Sequence, residues 1–326
     1  MVHQFVRVLQ VGVSLFALSG VAHAQADNYP VKPIRFVLAP TAGSAADVLA
    51  RTVGQKLSAS WGQQVVVENR PSAGGIIAAK LAASATPDGY TLLMVSALHA
   101  SAAAMFKSLP YDPVKDFAGI TRVANVPSVL VVSSGMGIKS MKQFIATARA
   151  RPGEFNYSSP GIGTASHLAG AYFNNMAGVQ AQHVPYKGIP EAVTDVVTGR
   201  VQYSFVPIPN AIASIKDGKL IALATSTGKR ASVLPELPTV AEAGLAGYEF
   251  DPWFAMFTSA GVPRPLVNKL SQEIGRILVL ADVKEKLQSL GAEPMPTTPE
   301  QLDAHVRAEI VKYRKIVKDA GIKPEA

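Results

Sequence analysis

The sequence predicts an α/β fold, and three observations lead there. Strand-like apolar runs alternate with helix-like periodic segments from residue 34 onward. Hydrophobic residues make up 48% of the 326, yet aromatics are only 7%, a small-residue mix suited to closely packed helices and strands. Charged residues are 17%, which excludes a disordered chain. The length allows two domains of about 150 residues or one large α/β unit.

The elements follow in order. Residues 34–38 read as a first strand, followed by a turn at 40–44. The next helix carries Leu49, Val53 and Leu57 at four-residue intervals. Gly62 ends it, and 65–67 form a second strand. Ala73, Gly74 and Gly75 open another helix, and Pro87-Asp88-Gly89 turns into a strand over 91–95. A second set begins with a strand over 129–133. Ser140 caps a helix bearing Met141, Phe144, Ile145 and Ala148, which Pro152-Gly153 breaks. Residues 156–158 lead through a glycine-bearing loop into a helix from Thr164, and 182–184, 201–205 and 220–225 complete the strands. A strand over 253–258, a helix with Leu266, Leu270 and Ile274, and a charged helix from Asp282 follow. The last helix opens on Thr298, Pro299 and Gln301: a capping hydroxyl, a first-position proline and a third-position glutamine. Leu302, Val306, Ile310, Tyr313 and Val317 line one of its faces. Alternation of this kind predicts parallel sheets.

Residues 1–24 read as a cleavable signal peptide. Arg7 supplies the positive start, 8–21 an apolar run, and Ala22-His23-Ala24 a small-x-small cleavage site after Ala24. That run is shorter than the ~20 residues that span a bilayer. Export is the expectation.

Lys and Arg number 31 against 23 Asp and Glu, a net charge of +8, but they are scattered singly, so no nucleic-acid partner is expected. An anionic small ligand fits the balance better. The absence of cysteine removes disulfides, thiolate nucleophiles, Cys-based metal sites and a lipid anchor. His99, His167, His183 and His305 show no metal-ligand spacing. There is no G-x-S-x-G elbow and no phosphate-binding P-loop. The chain is therefore expected to be no enzyme, with no catalytic residue, metal or cofactor.

A different device recurs. Three strand-to-helix junctions carry small, flexible residues: 41–45, 158–164 and 185–188. Each precedes a helix, so backbone N–H groups and a positive dipole end would point out of the carboxyl edge of a sheet, where open α/β sheets bind ligands. Several such ends facing one cleft would bind a carboxylate without arginine.

These residues also carry a resemblance. The chain resembles the Bug (TctC-type) periplasmic solute-binding receptors of tripartite tricarboxylate transporters over nearly its whole length. The matching stretches include Tyr29-Pro30-Val31-Lys32-Pro33-Ile34, Ala42-Gly43-Ser44 with Asp47, Val67-Glu68-Asn69-Arg70-Pro71 and Pro87-Asp88-Gly89-Tyr90-Thr91-Leu92-Leu93. Others are Leu109-Pro110-Tyr111-Asp112-Pro113, His183-Val184-Pro185-Tyr186-Lys187-Gly188 and Leu237-Pro238-Thr239-Val240-Ala241-Glu242.

The resemblance implies a two-lobed, type II periplasmic binding fold, with hinge strands and a ligand cleft between the lobes. Residues 30–126 with 253–326 would form lobe 1, and 127–252 lobe 2. In the first lobe it points to Thr41, Ala42, Gly43, Ser44 and Ala45, flanked by Ser96 and Leu98. In the second it points to Ser158, Ser159, Gly161, Gly163, Thr164 and His167, with Tyr186 and Lys187 on the same wall. Amino-acid-binding relatives often carry an Asp after the strand ending at Phe205, where this chain has Val206 and Pro207. The implied role is capture of an organic carboxylate, a dicarboxylate with an apolar and even aromatic spacer, by a periplasmic monomer that serves membrane permease subunits. A ligand-sensing adaptor acting on a sensor kinase is the alternative.

Overall fold

The computed structural model describes residues 28–39, 42–72 and 75–324. The signal-peptide reading at 1–24 lies outside the described residues. Among the described residues no helix is long and apolar enough to cross a membrane.

Two sheets organise the chain. The first holds β1 (Ile34–Leu38), β2 (Val65–Asn69), β3 (Thr91–Ser96), β4 (Phe117–Asn125), β10 (Trp253–Ser259) and β11 (Glu293–Pro294), in the order β11-β4-β10-β3-β1-β2. The second holds β5 (Ser128–Ser133), β6 (Phe155–Ser159), β7 (Ala181–Pro185), β8 (Tyr203–Pro207) and β9 (Leu220–Thr225), in the order β7-β6-β8-β5-β9. The expectation of parallel sheets needs correction. β1 runs parallel to β2 and β3, and β6 to β7 and β8, but β10 runs antiparallel to β3 and β4, and β5 to β8 and β9. The reversal comes from the chain crossing between sheets. β5 is the first strand after the crossing at Val126 and Pro127, and β10 is the first after the return. A hydrogen bond ties the two crossing segments together, Val126 N–H to Pro252 O at 2.8 Å.

Ten helices of these described residues cover the sheets. Ser44 caps α1 (Ala45–Trp61), and Gly62 ends it in the left-handed region at φ +66°. Its Leu49, Val53 and Leu57 are fully buried against Leu266, Leu270 and Ile274 of α8 (Arg264–Leu278) on one face of the first sheet. α2 (Ile76–Ala83) and α3 (Leu98–Met105) cover the other face. In the second sheet, α4 (Met141–Ala150) and α5 (Ala165–Ala177) bury Phe144 and Phe173 on one side. α6 (Ile189–Val197) and α7 (Ile208–Lys216) close the other with Val196 and Ala211. α9 (Ala281–Ser289) leads to β11.

The last helix, α10 (Pro299–Asp319), has a full capping box: the Thr298 hydroxyl accepts the Gln301 N–H while the Gln301 side chain accepts the Thr298 N–H. Leu302, Val306, Ile310, Tyr313 and Val317 are all buried, in a core shared with residues of both sheets. α10 therefore packs where the two lobes meet.

Gly170 shows how tight the second lobe is. It sits inside α5, where alanine ordinarily favours a helix by about 1 kcal/mol. A Cβ there would lie 2.5 Å from the Tyr157 ring, which is itself stacked on His167 and Tyr203. Gly170→Ala is thus expected to lower stability by about 1–3 kcal/mol in urea unfolding, reversing the propensity effect. Unchanged or increased stability would show that Tyr157 yields freely.

Candidate functional site

A cavity of about 750 Å³ lies between the two sheets. Its wall is built from first turns. Ser44 and Ala45 belong to α1, Gly75 caps α2, and Ala97 and Leu98 open α3; from the second lobe come Thr164 and Ala165 of α5, Ile189 of α6 and Pro207 of α7. Three helices from each sheet thus turn their positive ends toward one space. No Lys, Arg, Asp or Glu lines it among the described residues, so positive potential there comes from the backbone.

The two lobes present the same device. In the first, Ser44 is the N-cap of α1 at φ −68°, ψ 161°, and its hydroxyl accepts the Asp47 N–H. In the second, Thr164 caps α5 at φ −68°, ψ 160°, and its hydroxyl accepts the His167 N–H. Each cap follows a glycine in the left-handed region, Gly43 at φ +79° and Gly163 at φ +77°, which a Cβ would strain. The side chain at the third helical position then reaches back to that glycine. Gly43 N–H donates to Asp47 Oδ2 at 2.9 Å, and Gly163 N–H donates to His167 Nδ1 at 3.0 Å. Both loops are held from behind, and the first-turn N–H groups of Ala45, Ala46, Ala165 and Ser166 keep no acceptor within their helices. These are the groups an anion would meet.

The electrostatics agree. Burial would raise the Asp47 carboxyl, but hydrogen bonds from Arg51, Gly43 and Asn69 outweigh it and hold the group below the usual range. Both its oxygens are engaged, Oδ2 by Gly43 and Arg51 and Oδ1 by Asn69 at 2.9 Å, and the residue is 4% exposed. Burial, with His183 stacked 3.9 Å away, pulls His167 down to about 3. It is neutral, as an acceptor at Nδ1 must be.

The floor is aromatic and lies at the crossing. Trp253, Phe254 and Tyr313 line it, with Leu98, Leu168 and Leu290 supplying further apolar wall. Glu309 sits behind them, 6% exposed, accepting Trp253 Nε1–H at 3.3 Å and Lys312 Nζ–H at 3.1 Å.

A family model described as the tripartite tricarboxylate transporter family receptor, TctC, matches residues 49–322. The chain belongs to that family. BugT of Bordetella pertussis is 33% identical over 320 residues, covering 97% of this chain and 98% of BugT. Among solved structures, R. palustris Rpa4515 with adipate is 34% identical, with a TM-score of 0.77 over 91% of this chain and 100% of that one. MatC from Rhodopseudomonas palustris with bound malate is 31% identical, with a TM-score of 0.72 over 89% of this chain and 100% of that one. Family and fold are those of two-lobed periplasmic solute-binding receptors, not of enzymes.

Within this TctC-family fold the sites read from sequence fall into two groups. Ser44, Ala45, Ser96, Leu98, Gly163, Thr164 and Pro207 line the cavity. Thr41 lies outside the described residues. The others stand off the wall, each for a local reason. Ala42 and Gly43 are exposed in the turn before the α1 cap. Ser158 and Ser159 are fully buried at the end of β6. The Ser158 hydroxyl donates to Ala192 O at 3.0 Å; that of Ser159 donates to Gly161 O at 2.9 Å and lies 2.7 Å from His183 Nε2. Gly161 shapes the loop, its carbonyl accepting the Thr164 hydroxyl at 2.7 Å. His167 acts behind Gly163 as described.

The 185–188 junction needs correction as a wall element, since only Ile189 beyond it reaches the cavity. Tyr186 donates its hydroxyl to Asp195 Oδ2 at 2.6 Å, and Lys187 is exposed. Val206 is 2% exposed in the core under α6 and α7, so Pro207 alone represents that position. Sequence reading missed Ser72, Ser101, Ser128, Asn210, Trp253 and Tyr313 as lining residues. No motif marks them; Tyr313 was legible only as part of an apolar helix face.

Proposed function

We propose that this protein is a periplasmic receptor that captures an organic dicarboxylate with an apolar spacer and delivers it to membrane permease subunits of a tripartite tricarboxylate transporter. The observation that carries the reading is a cavity with helix N-termini from both lobes at its wall, apolar and aromatic surface between them, and no charged side chain among the described residues that line it. Each lobe can hold one carboxylate on first-turn N–H groups. The spacer lies over Trp253 and Tyr313, a floor that suits a benzene dicarboxylate as well as a linear chain. The adipate and malate in the two solved relatives are consistent with the chemical class. Residues 30–126 with 253–326 act as one lobe and 127–252 as the other, in line with the sheet each strand joins. Export follows from the signal peptide, with cleavage after Ala24, and the mature receptor acts as a monomer.

Amino acids fit this cavity poorly. Their ammonium group needs a partner once enclosed, because a buried unpaired charge costs several kcal/mol. Asp47 is committed to Gly43, Arg51 and Asn69, and Val206 and Pro207 carry no carboxylate.

A thermal-shift panel tests the reading with adipate, malate, terephthalate, isophthalate, aspartate and glutamate. A ligand at 100 times its dissociation constant stabilises by ~2.7 kcal/mol. In a protein of this size that raises the melting temperature by about 5 °C or more. The diacids with apolar spacers are expected to give that shift. Shifts from aspartate or glutamate alone would overturn the proposed ligand class.

A further inference from the structure

Away from the ligand loops, one short segment of the first lobe reaches the second at two points. Ser289 and Leu290, at the end of α9, line the cavity. Gly291 follows in the left-handed region at φ +64°, its N–H held by Gln288 O at 2.9 Å. Its backbone approaches Pro209 of α7 so closely that a Cβ would fall 2.0 Å from the proline Cγ. Two residues on, Glu293 Oε1 accepts the Ser232 N–H at 2.7 Å, across the boundary between the sheets.

The topology gives these contacts a mechanical meaning. Glu293 and Pro294 form β11, an edge strand paired to β4 at Asn125 and Ala124. Asn125 is the last residue of β4, immediately before the crossing at Val126 and Pro127. Ser232 follows β9, the edge strand beside β5 on the far side of that crossing. The bond thus joins matching edges of the two sheets along the flank of the crossing segments. Gly291 against Pro209 is a steric abutment, and Glu293 with Ser232 is a tie. Pro209 and Asn210 also line the cavity, opposite Ser289 and Leu290, so both contacts stand beside the binding space.

We propose that residues 289–293 form a strut beside the hinge and that Glu293 is a positioning residue for ligand capture. The strut sets the angle at which the two lobes stand when the cavity is enclosed, and Glu293, which is not among the lining residues, contributes to that from outside the cavity. Losing the tie leaves the abutment but frees the lobes to swing apart, so ligand escapes faster. This rests on the receptor reading above, and its test has one arm that does not depend on ligand identity.

The chain has no cysteine, so paired labels can be introduced cleanly. Lys80→Cys on α2 and Thr194→Cys on α6 place spin labels on exposed positions of opposite lobes. Interlobe distances are then measured with and without adipate in the otherwise wild-type, Glu293→Ala and Glu293→Gln proteins. Glutamine keeps an oxygen that can accept the Ser232 N–H. In whichever condition the wild-type protein populates the short distance, Glu293→Ala is expected to reduce that population about fivefold relative to the open one, and Glu293→Gln to restore most of it. Stopped-flow tryptophan fluorescence, reporting on Trp253 in the floor, is expected to show adipate leaving about fivefold faster from Glu293→Ala with association little changed. Three outcomes overturn the strut: an unchanged distance distribution in Glu293→Ala, no rescue by Glu293→Gln, or a wild-type protein that never populates the short distance. Failure of adipate to bind any of the proteins counts against the ligand class, and the distance measurement still decides the strut.

Discussion

Replacing Ala165 with Asp is expected to leave the receptor as stable as before, or slightly more so, while abolishing dicarboxylate binding. Ala165 is the first residue of α5, lines the cavity and is partly exposed. The first turn of α5 contains no acidic residue. A carboxylate added there interacts favourably with the helix dipole, by about 0.3–1 kcal/mol. The same carboxylate competes for the N–H groups that would hold the ligand, and it repels the ligand's charge. Two like charges about 4 Å apart cost ~4 kcal/mol at an effective dielectric of 20. Allowing for screening, the expected loss of affinity is at least about 100-fold. Ala45→Asp repeats the test at the equivalent position of α1, also in the wall. Ala165→Asn, of similar size and uncharged, is expected to lose much less. Calorimetric titration with the diacid of largest thermal shift, alongside ligand-free thermal unfolding, reads both effects. Affinity within about threefold of wild type for both Asp variants would rule out carboxylate capture by these helix ends.

The opposite signs in that experiment separate an anion site from ordinary structural damage. A variant that merely disturbs the loops should lose stability and binding together. The two loops are built to resist such disturbance, because Asp47 and His167 brace Gly43 and Gly163 from behind the caps. One brace is ionised and one is neutral. The ionised one is compensated by Arg51 and Asn69 and does not face the cavity.

Much of this architecture was legible in the sequence where a local rule determines it. Ser140 and Thr298 cap the helices their sequence context announces, and the five apolar positions of α10 are all buried. What escaped lacks a local signature. Five of the eight residues of α3 are Ala or Ser, and six of its positions are buried between β3 and α10, so it shows no 3.6-residue stripe. β4 carries Gly119, Thr121, Arg122 and Asn125 in a buried strand, polar because it meets α10 and the crossing. α7 has a proline near its start that looks like a breaker and in fact sits in the first turn, where the missing N–H costs nothing. The site divides the same way. Glycine and hydroxyl loops signal backbone binding through their composition, whereas Trp253 and Tyr313 join the cavity only when the crossing meets the last helix. Val206 was misplaced because β8 is buried on both faces, so side-chain alternation does not tell a lining residue from a core one.

A steep loss of folding stability is expected as pH falls from 6.5 toward 4.5, before most carboxylates titrate. The four histidines of the described residues all have depressed pKa values, with burial the first cause in each. His99, His183 and His305 come down to about 4 and His167 to about 3, from an ordinary value of 6.5. Below pH 6.5 the unfolded chain takes up a proton at each site, and the folded chain does not. The unfolded state then binds more protons, so stability is complete above pH 6.5 and is lost as pH falls toward the folded values. Each histidine contributes at most ~1.4 kcal/mol per pH unit, which over two units gives an upper bound of ~11 kcal/mol for the four. His183 and His305 are only partly enclosed, so about half that bound is the realistic figure. Asp251 and Asp303, raised by burial, work in the opposite direction and offset part of the loss toward the acid end. Urea unfolding at pH 7, 6 and 5 measures the slope. His305→Phe supplies the control, because His305 Nε2 has no hydrogen-bond partner and its ring packs edge-on to Trp253 at 5.4 Å, a contact phenylalanine can keep. That variant is expected to flatten the slope by up to ~1.4 kcal/mol per pH unit. Stability that stays level from pH 6.5 to 4.5 would mean that these imidazoles take up protons in the folded protein. In that case Gly163 would lose its acceptor on His167 within the same range, and ligand affinity would fall with pH instead of stability.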